Sequence, residues 1–230
     1  MPRPRRQTPG GVVYHALNRS NGRRTIFEAP GDYFAFELIL AEVQAHTGMR
    51  ILAWCLMPNH WHLVLWPERD GALSDFLQRL TLTHVRRWHA YHGTTGTGHL
   101  YQGRFKSFMV QDDAHFLTVC RYVEANALRS GLVERAEEWS WGSLGRLHRP
   151  RAAAPHIAAW PLARPSDWTA IVNEAMRPSA LNQLRQCARR GTPYGDKGWV
   201  DRNAKQLGLE STLRARGRPS HAGRDAKKGS

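Results

Sequence analysis

The chain has 230 residues, and 33 Lys and Arg against 19 Asp and Glu give it a formal net charge of +14 and an isoelectric point near 10.6. A chain of this length can bury a sizeable core without disulfide bonds or structural metals. The positive charge favours polyanionic partners, with nucleic acid ahead of an anionic membrane surface. No apolar run is long enough to span a bilayer, and the three widely spaced cysteines indicate reduced thiols in a cytoplasmic, nucleoid-associated protein.

The first half of the chain alternates predicted strands and helices. The patterns predict a strand over 12–19, a helix over 33–46, a strand over 50–57 and a hairpin partner strand that begins at residue 60. A long helix with apolar residues from 76 to 88, a strand over 105–110 and a helix that ends near 126 follow. The predicted N-caps are Asp32, Ser74 and either Asp112 or Asp113, and Gly48 is the predicted stop of the first helix. This order predicts an α+β fold whose mainly antiparallel sheet has helices on one or both faces.

The composition changes beyond Trp141. Ala, Pro and Arg dominate 149–165, which indicates a connector or a loosely packed excursion, and short helices are predicted over 167–176, 180–187 and 199–207. The basic, small and polar residues after Arg214 predict a disordered tail. We therefore expect a first domain over 1–148, a helical extension over 149–212 and a basic tail over 213–230.

The segment Met57-Pro58-Asn59-His60-Trp61-His62 carries the strongest chemical signal. Side chains alternate between faces along a strand, so His60 and His62 are expected to point the same way and Trp61 the other way. Two neutral imidazoles side by side on a rigid strand are suited to bind a divalent metal. Taken alone, such a pair is more often a surface or cross-strand pair than a metal site.

A later helix supplies the other candidate groups. Tyr122 and Asn126 are four residues apart and are expected to share one helix face. If that face packs against the histidines, Asn126 offers an amide oxygen as a third ligand and Tyr122 a phenol that can attack phosphorus. A metal with open positions beside a nucleophilic phenol in a basic protein indicates phosphodiester cleavage. Taken alone, Tyr122 also suits a core position, and Asn126 also suits a helix C-cap.

These residues carry a resemblance to a known family. The His-Trp-His motif resembles the histidine–hydrophobic–histidine signature of the HUH superfamily of single-strand endonucleases. The segments 101–107 and 121–133 resemble the single-tyrosine transposases associated with REP elements, the bacterial repetitive extragenic palindromes. The resemblance extends from about residue 11 to about residue 144 and resumes from 191 through 219.

The resemblance implies both a fold and a site. The implied fold is a ferredoxin-like antiparallel sheet flanked by helices, the HUH endonuclease fold. His60 and His62 match the metal-binding pair, Asn126 the third ligand and Tyr122 the nucleophile, with Mg²⁺ or Mn²⁺ as the cofactor. Such enzymes cut single-stranded DNA beside a hairpin, form a 5′-phosphotyrosine with a free 3′-hydroxyl, and can rejoin strands. Two departures are Asn126, where the broader insertion-sequence transposases more often have Gln, and Ala127, where the family often has Pro.

The partner is expected to be single-stranded DNA with REP-like hairpins, and the protein is expected to be a monomer or a homodimer without membrane association. The candidate DNA-binding residues are Arg3, Arg5, Arg6, Asn18, Arg19, Arg104 and Lys106. Basic residues of this kind more often form a solvated face. Three alternative functions stay open: a rolling-circle replication initiator or relaxase-type nickase, a non-catalytic, domesticated regulator that binds DNA hairpins, and an RNA-binding protein.

Overall fold

The structure is a computed structural model that describes residues 7–151 and 154–214. The predicted N-terminal DNA arm, with Arg3, Arg5 and Arg6, lies outside the described residues. The predicted basic tail beyond residue 214 lies outside them as well. The predicted division of the chain at residues 148 and 212 stays a prediction.

The sheet and its first two helices have the predicted order. The strands are β1 (Val13–Arg19), β2 (Arg50–Met57), β3 (His60–Trp66) and β4 (Lys106–Val110), and the helices between them are α1 (Pro30–Thr47) and α2 (Ala72–Tyr91). The strand order is β2-β3-β1-β4, and every neighbouring pair is antiparallel. A β-α-β-β-α-β chain with this strand order is the ferredoxin-like arrangement, so the predicted fold class is confirmed.

The remaining helices are short. They are α3 (Ala114–Glu124), α4 (Asn126–Arg129), α5 (Ser143–His148), α6 (Trp168–Asn173), α7 (Pro178–Arg190), α8 (Lys197–Gln206) and α9 (Glu210–Leu213). Helices α6, α7 and α8 form where the sequence predicts them, with shifted ends, whereas α5 and α9 were not predicted. None of the helices in the described ranges combines the length and the apolar character that a membrane span needs.

Two of the predicted N-caps are wrong, and one is confirmed. Helix α1 begins at Pro30, and Asp32 lies inside its first turn, where its carboxylate accepts the backbone N–H groups of residues 28 and 29 at 2.9 and 3.0 Å. Helix α2 begins at Ala72, two residues before Ser74, because the positive φ of 79° at Gly71 turns the chain into the helix. Asp113 is the N-cap of α3, and its side chain accepts the backbone N–H of His115.

The sheet is covered on both faces, and its alternation sorts the side chains. Trp61, Leu63 and Leu65 of β3 pack in the core shared with α1 and α2. Val64 of β3 and Phe108 of β4 pack in the second core, which is shared with α3 and the helices after it. We call the side of the sheet that carries this second core the α3 face.

The segment after residue 148 protects both edges of the sheet. Ile157 forms a parallel bridge with Ile51 on the β2 edge. Tyr194 forms a parallel bridge with Val110 on the β4 edge, and its backbone N–H donates to the carbonyl of Met109 at 2.8 Å. An open strand edge is a template for unwanted pairing, and each of these isolated bridges covers one position of an edge strand. The segment predicted as a connector or a loosely packed excursion over 149–165 thus contacts the sheet at Ile157.

Two buried polar contacts attach the later helices to the earlier ones. The carboxylate of Glu124 accepts the hydroxyl of Ser143 at 2.5 Å and the indole N–H of Trp168 at 2.6 Å, and burial raises its pKa. Arg146 of α5 forms a buried ion pair with Glu37 of α1. Both contacts join residues far apart in sequence, and Glu124 lies two residues beyond Tyr122.

Candidate active site

The strand register places the two predicted metal ligands on the α3 face. His60 pairs with Arg19 and His62 pairs with Leu17 across β1 and β3, while Lys106 of β4 pairs with Leu17 on its other side. Directly opposed residues of an antiparallel pair point to the same face. His60, His62, Arg19 and Lys106 therefore share the face that α3 covers.

Trp61 points to the opposite side of the sheet, as the alternation predicts. Its indole N–H donates to the hydroxyl of Tyr101 at 2.9 Å, and that hydroxyl lies 2.7 Å from Nδ1 of His84 on α2. Because the indole can only donate, the Tyr101 oxygen accepts that hydrogen bond, and the direction of the bond to His84 follows the tautomer of its imidazole. This buried chain joins β3 to α2 and is separate from the His60 and His62 face.

Helix α3 brings the predicted nucleophile to the histidines. The ring of Tyr122 lies edge-on to the ring of His62, with the ring centroids 5.9 Å apart, and the rings of His60 and His62 are 5.0 Å apart. Tyr122 is 8% exposed. The fold therefore brings the ring of Tyr122 on a late helix against the ring of His62 on an early strand. That Tyr122, Asn126, His60 and His62 form one site stays a prediction.

Asn126 is one helical turn beyond Tyr122, but the helix is not continuous between them. Helix α3 ends at Glu124, and Asn126 is the first residue of α4. The amide oxygen of Asn126 accepts a guanidinium N–H of Arg129 at 2.9 Å, and its Nδ2 is buried without a hydrogen-bond partner in the part of the chain that the structure describes. An amide oxygen has two lone pairs, so this bond leaves one of them for a metal.

Arg129 connects the two site residues of the α3–α4 segment, and the sequence analysis missed it. Its guanidinium lies over the ring of Tyr122, 4.3 Å from the centroid, and donates to the backbone carbonyl of Tyr122 at 2.7 Å as well as to Asn126. The available signal was its position three residues after Asn126, which puts it within reach along a helix. Burial lowers the pKa of Arg129, although a guanidinium stays charged in proteins.

His15 is a second residue that the sequence analysis did not assign. It is fully buried on β1, and its Nε2 lies 2.8 Å from Nδ1 of His62. Burial lowers the pKa of His15 to about 3, and burial together with the charge of Arg19 lowers the pKa of His60 to about 3. Burial also lowers the pKa of His62, with smaller effects from His15, His60 and nearby arginines. These imidazoles are therefore neutral near pH 7, which is the form that binds a metal.

The donor set fits a divalent metal with open positions rather than a closed site. Within residues 7–151 and 154–214, no three or more His, Cys, Asp and Glu side chains form a metal-binding group. The candidate ligands are two imidazoles and the carboxamide oxygen of Asn126, which already accepts one hydrogen bond from Arg129. The imidazoles suit a transition metal, and the amide oxygen suits a hard cation such as Mn²⁺ or Mg²⁺, so the set is compatible with a divalent metal whose remaining positions are open.

The predicted DNA-binding residues differ in how they are held. Arg19 is half-buried beside His60, and its Nε has no hydrogen-bond partner among the described residues. Lys106 and Arg104 are exposed. Asn18 is buried, its amide N–H donates to the carbonyl of Gly103 at 3.3 Å, and its oxygen accepts the backbone N–H of Arg19. DNA contact by each of these side chains stays a prediction.

A family model described as "Transposase IS200 like" matches residues 10–126, which is half of the chain and includes β1 through α3 and Asn126. The chain belongs to this IS200-like transposase family. Membership implies a DNA-cleaving role, and the family generally uses a divalent metal.

Two relatives of this IS200-like transposase agree with the predicted resemblance to REP-associated tyrosine transposases, which is confirmed. A curated protein of Haemophilus influenzae, provisionally named a REP-associated tyrosine transposase, is 22% identical over 148 residues, covering 60% of this chain and 82% of the relative. A solved structure described as a REP-associated tyrosine transposase bound to a REP hairpin is 18% identical and has a TM-score of 0.50. That match covers 70% of this chain and 95% of the solved one. The structural match supports the shared fold.

Proposed function

We propose that this transposase is a metal-dependent endonuclease and strand-transferase that cuts and rejoins single-stranded DNA beside hairpins of the REP type. The observation that carries the proposal is the convergence on one sheet face of His60, His62 and Tyr122, with the rings of His62 and Tyr122 5.9 Å apart. Family membership supports a DNA-cleaving activity, and the solved relative bound to a REP hairpin supports the choice of DNA partner.

Tyr122 is the nucleophile in this proposal. Its phenol loses its proton, and the phenolate oxygen attacks the phosphorus of one phosphodiester. The bond from phosphorus to the 3′ oxygen breaks, and that oxygen takes up a proton to become a free 3′-hydroxyl. The product is a 5′-phosphotyrosine, whose phosphoester bond is retained. A 3′-hydroxyl from the same or another strand can attack this bond, which restores the phenol and joins the DNA.

The side chains of His60, His62 and Asn126 would hold Mg²⁺ or Mn²⁺ beside the nucleophile. A metal held there would supply charge neutralisation at the scissile phosphate as the transition state forms. Arg129 orients the carboxamide of Asn126 through the 2.9 Å bond to its oxygen, and the same guanidinium holds the backbone at Tyr122. The guanidinium of Arg129 thus positions both the nucleophile Tyr122 and the third ligand Asn126.

Phosphate groups of the single strand are bound by Arg19 and Lys106. Both lie on the α3 face, opposite His60 and Leu17 in the register, and Arg19 retains an unpartnered Nε among the described residues. Arg104 precedes β4 and is exposed at the same end of that strand. Phosphate contacts of this kind position a strand without specifying its sequence.

The test uses a labelled hairpin oligonucleotide with a single-stranded flank, incubated with the full chain and Mg²⁺ or Mn²⁺. We expect cleavage and a covalent protein–DNA adduct on a denaturing gel, both lost in Tyr122→Phe. Tyr91→Phe is the matched control, because Tyr91 is 83% exposed on α2 on the other side of the sheet. His60→Ala should abolish cleavage while hairpin binding persists.

Two results would contradict the proposal. An adduct that persists in Tyr122→Phe would show that another side chain is the nucleophile. Hairpin binding without cleavage under either metal would instead indicate the non-catalytic regulator.

A further inference from the structure

Both metal-binding histidines of the proposed site are held at the same ring nitrogen. Nδ1 of His60 lies 2.6 Å from the amide oxygen of Asn59, and Nδ1 of His62 lies 2.8 Å from Nε2 of His15. In a neutral imidazole one nitrogen carries a proton and the other a lone pair. A partner that accepts the proton of Nδ1 therefore leaves the lone pair of Nε2 free to bind a metal.

The bond at His60 has only one chemically consistent form. The amide nitrogen of Asn59 donates to the backbone carbonyl of Arg23 at 3.0 Å. A flipped amide would set two acceptor oxygens against each other, so the Asn59 oxygen is the atom that faces His60. Because that oxygen only accepts, Nδ1 of His60 carries the proton, and the lone pair is on Nε2.

The bond at His62 has two forms, and only one of them is compatible with binding through Nε2. If His62 donates from Nδ1, its Nε2 lone pair is free and His15 accepts at Nε2. If His15 donates instead, Nε2 of His62 carries the proton and cannot bind a metal. In either form the 2.8 Å contact limits rotation of the His62 ring.

We propose that Asn59 and His15 are positioning residues that hold His60 and His62 by Nδ1, so that both rings present Nε2 to the metal. The inference rests on the proposed function, and it deepens that function by assigning the residues that orient the ligands. Partners behind a metal-bound histidine fix its tautomer and ring orientation and raise its basicity, and their loss typically weakens metal binding by about 10–100-fold.

A purely packing role for His15 predicts different behaviour. Its ring also contacts Phe108, with the ring centroids 4.9 Å apart, and lies 6.0 Å from the ring of Tyr122. If only this packing mattered, an apolar side chain of similar size at position 15 would preserve metal binding. If the hydrogen bond to His62 matters, an acceptor must be kept at the position of Nε2.

The first experiment measures Mn²⁺ affinity by titration calorimetry on the full chain without DNA. We expect His15→Leu to weaken Mn²⁺ binding on the order of 10–100-fold. His15→Gln, whose amide oxygen can accept from His62, should retain affinity close to that of the wild type. Hairpin binding in EDTA and the unfolding midpoint serve as controls, and His15→Met replaces the Leu variant if that variant does not fold.

These measurements distinguish a hydrogen-bonding role of His15 from a purely packing role. Wild-type affinity in the folded Leu or Met variant overturns the inference, and equal weakening in the Gln and apolar variants overturns it too. Absence of Mn²⁺ binding by the wild type would overturn the proposed metal-dependent function and the inference with it.

The second experiment reads the bound nitrogen directly. Long-range proton–nitrogen NMR on the wild-type chain loaded with Zn²⁺, used as a diamagnetic probe, should show protonated Nδ1 and metal-bound Nε2 in both His60 and His62. Metal bound through Nδ1 of either ring would overturn the inference, even if cleavage and its dependence on Tyr122 are confirmed.

Discussion

Replacement of Arg129 tests how the nucleophile and the third ligand are held together. Its guanidinium donates to the carbonyl of Tyr122 at 2.7 Å and to the amide oxygen of Asn126 at 2.9 Å, and it stacks on the Tyr122 ring. Arg129→Met removes all three contacts and leaves an apolar side chain of comparable reach. Arg129→Lys keeps the charge but lacks the planar fork that bonds two acceptors at once.

The stability cost follows from these contacts. Two hydrogen bonds from a charged donor set an upper range of about 3–6 kcal/mol in the free energy of unfolding. Because the guanidinium is half-buried, solvent screening lowers the expected loss in Arg129→Met to about 2–3 kcal/mol. Loss of the hydrogen bond that orients the Asn126 carboxamide should also weaken metal binding by about 10–100-fold. Cleavage at limiting metal concentration should fall by the same factor.

The assay combines urea unfolding with single-turnover cleavage of a saturating hairpin substrate across a range of Mn²⁺ concentrations. Arg86→Met, an exposed arginine of α2, is the matched control and should behave as the wild type. We expect Arg129→Lys to need more Mn²⁺, as Arg129→Met does. Wild-type Mn²⁺ dependence in Arg129→Lys would refute the orienting role, and a loss of hairpin affinity alone would make Arg129 a simple DNA contact.

Three further predictions concern stability, pH and DNA affinity. Glu37→Leu or Arg146→Met alone should lower the free energy of unfolding in urea by about 3–5 kcal/mol, because each leaves a buried charge without its partner. The double variant should have an unfolding free energy near that of the wild type. A double variant as unstable as the single variants would contradict this. Burial lowers the pKa of His84 to about 3, so its neutral ring stabilises the fold above the unfolded pKa of about 6.5, and that contribution is lost as the pH falls below this value. The unfolding free energy of His84→Phe should therefore decline less steeply in acid than that of the wild type, by up to about 1.4 kcal/mol per pH unit. Parallel curves of unfolding free energy against pH for the two proteins would contradict this role of His84. Arg19→Ala and Lys106→Ala should each weaken hairpin binding and reduce the slope of log affinity against log salt by about 0.7, and unchanged slopes would exclude phosphate contact.

The residues proposed for chemistry were visible because their spacing is local. His60 and His62 alternate with Trp61 at the period of a strand, and Tyr122 and Asn126 are one helical turn apart. Charge and element order added the class of partner and the α+β fold. This pattern did not supply the break between α3 and α4 at Ala125, where no residue in the sequence is a typical helix breaker.

Apart from Arg129, whose partners lie within seven residues, the missed contacts join residues that are distant in sequence. His15 meets His62 only because β1 and β3 pair in one register, and Ile157 and Tyr194 reach the sheet edges only after the extension folds back. The N-cap predictions failed for a local reason: Asp32 and Ser74 are good capping residues, but Pro30 and the positive φ at Gly71 start each helix earlier.

The sequence by itself determined the order of strands and helices along the chain and the shared face of the two strand histidines, since both follow from short-range periodicity. The resemblance of its contiguous motifs to a known family indicated the proposed nucleophile. Only the tertiary structure decided which side chains hold those groups in place, because a hydrogen bond between residues 15 and 62 or a guanidinium stacked on a phenol depends on strand register and helix packing. The strand register belongs to the whole fold, whereas the spacing of Arg129 from Asn126 is local and only its contacts needed the structure.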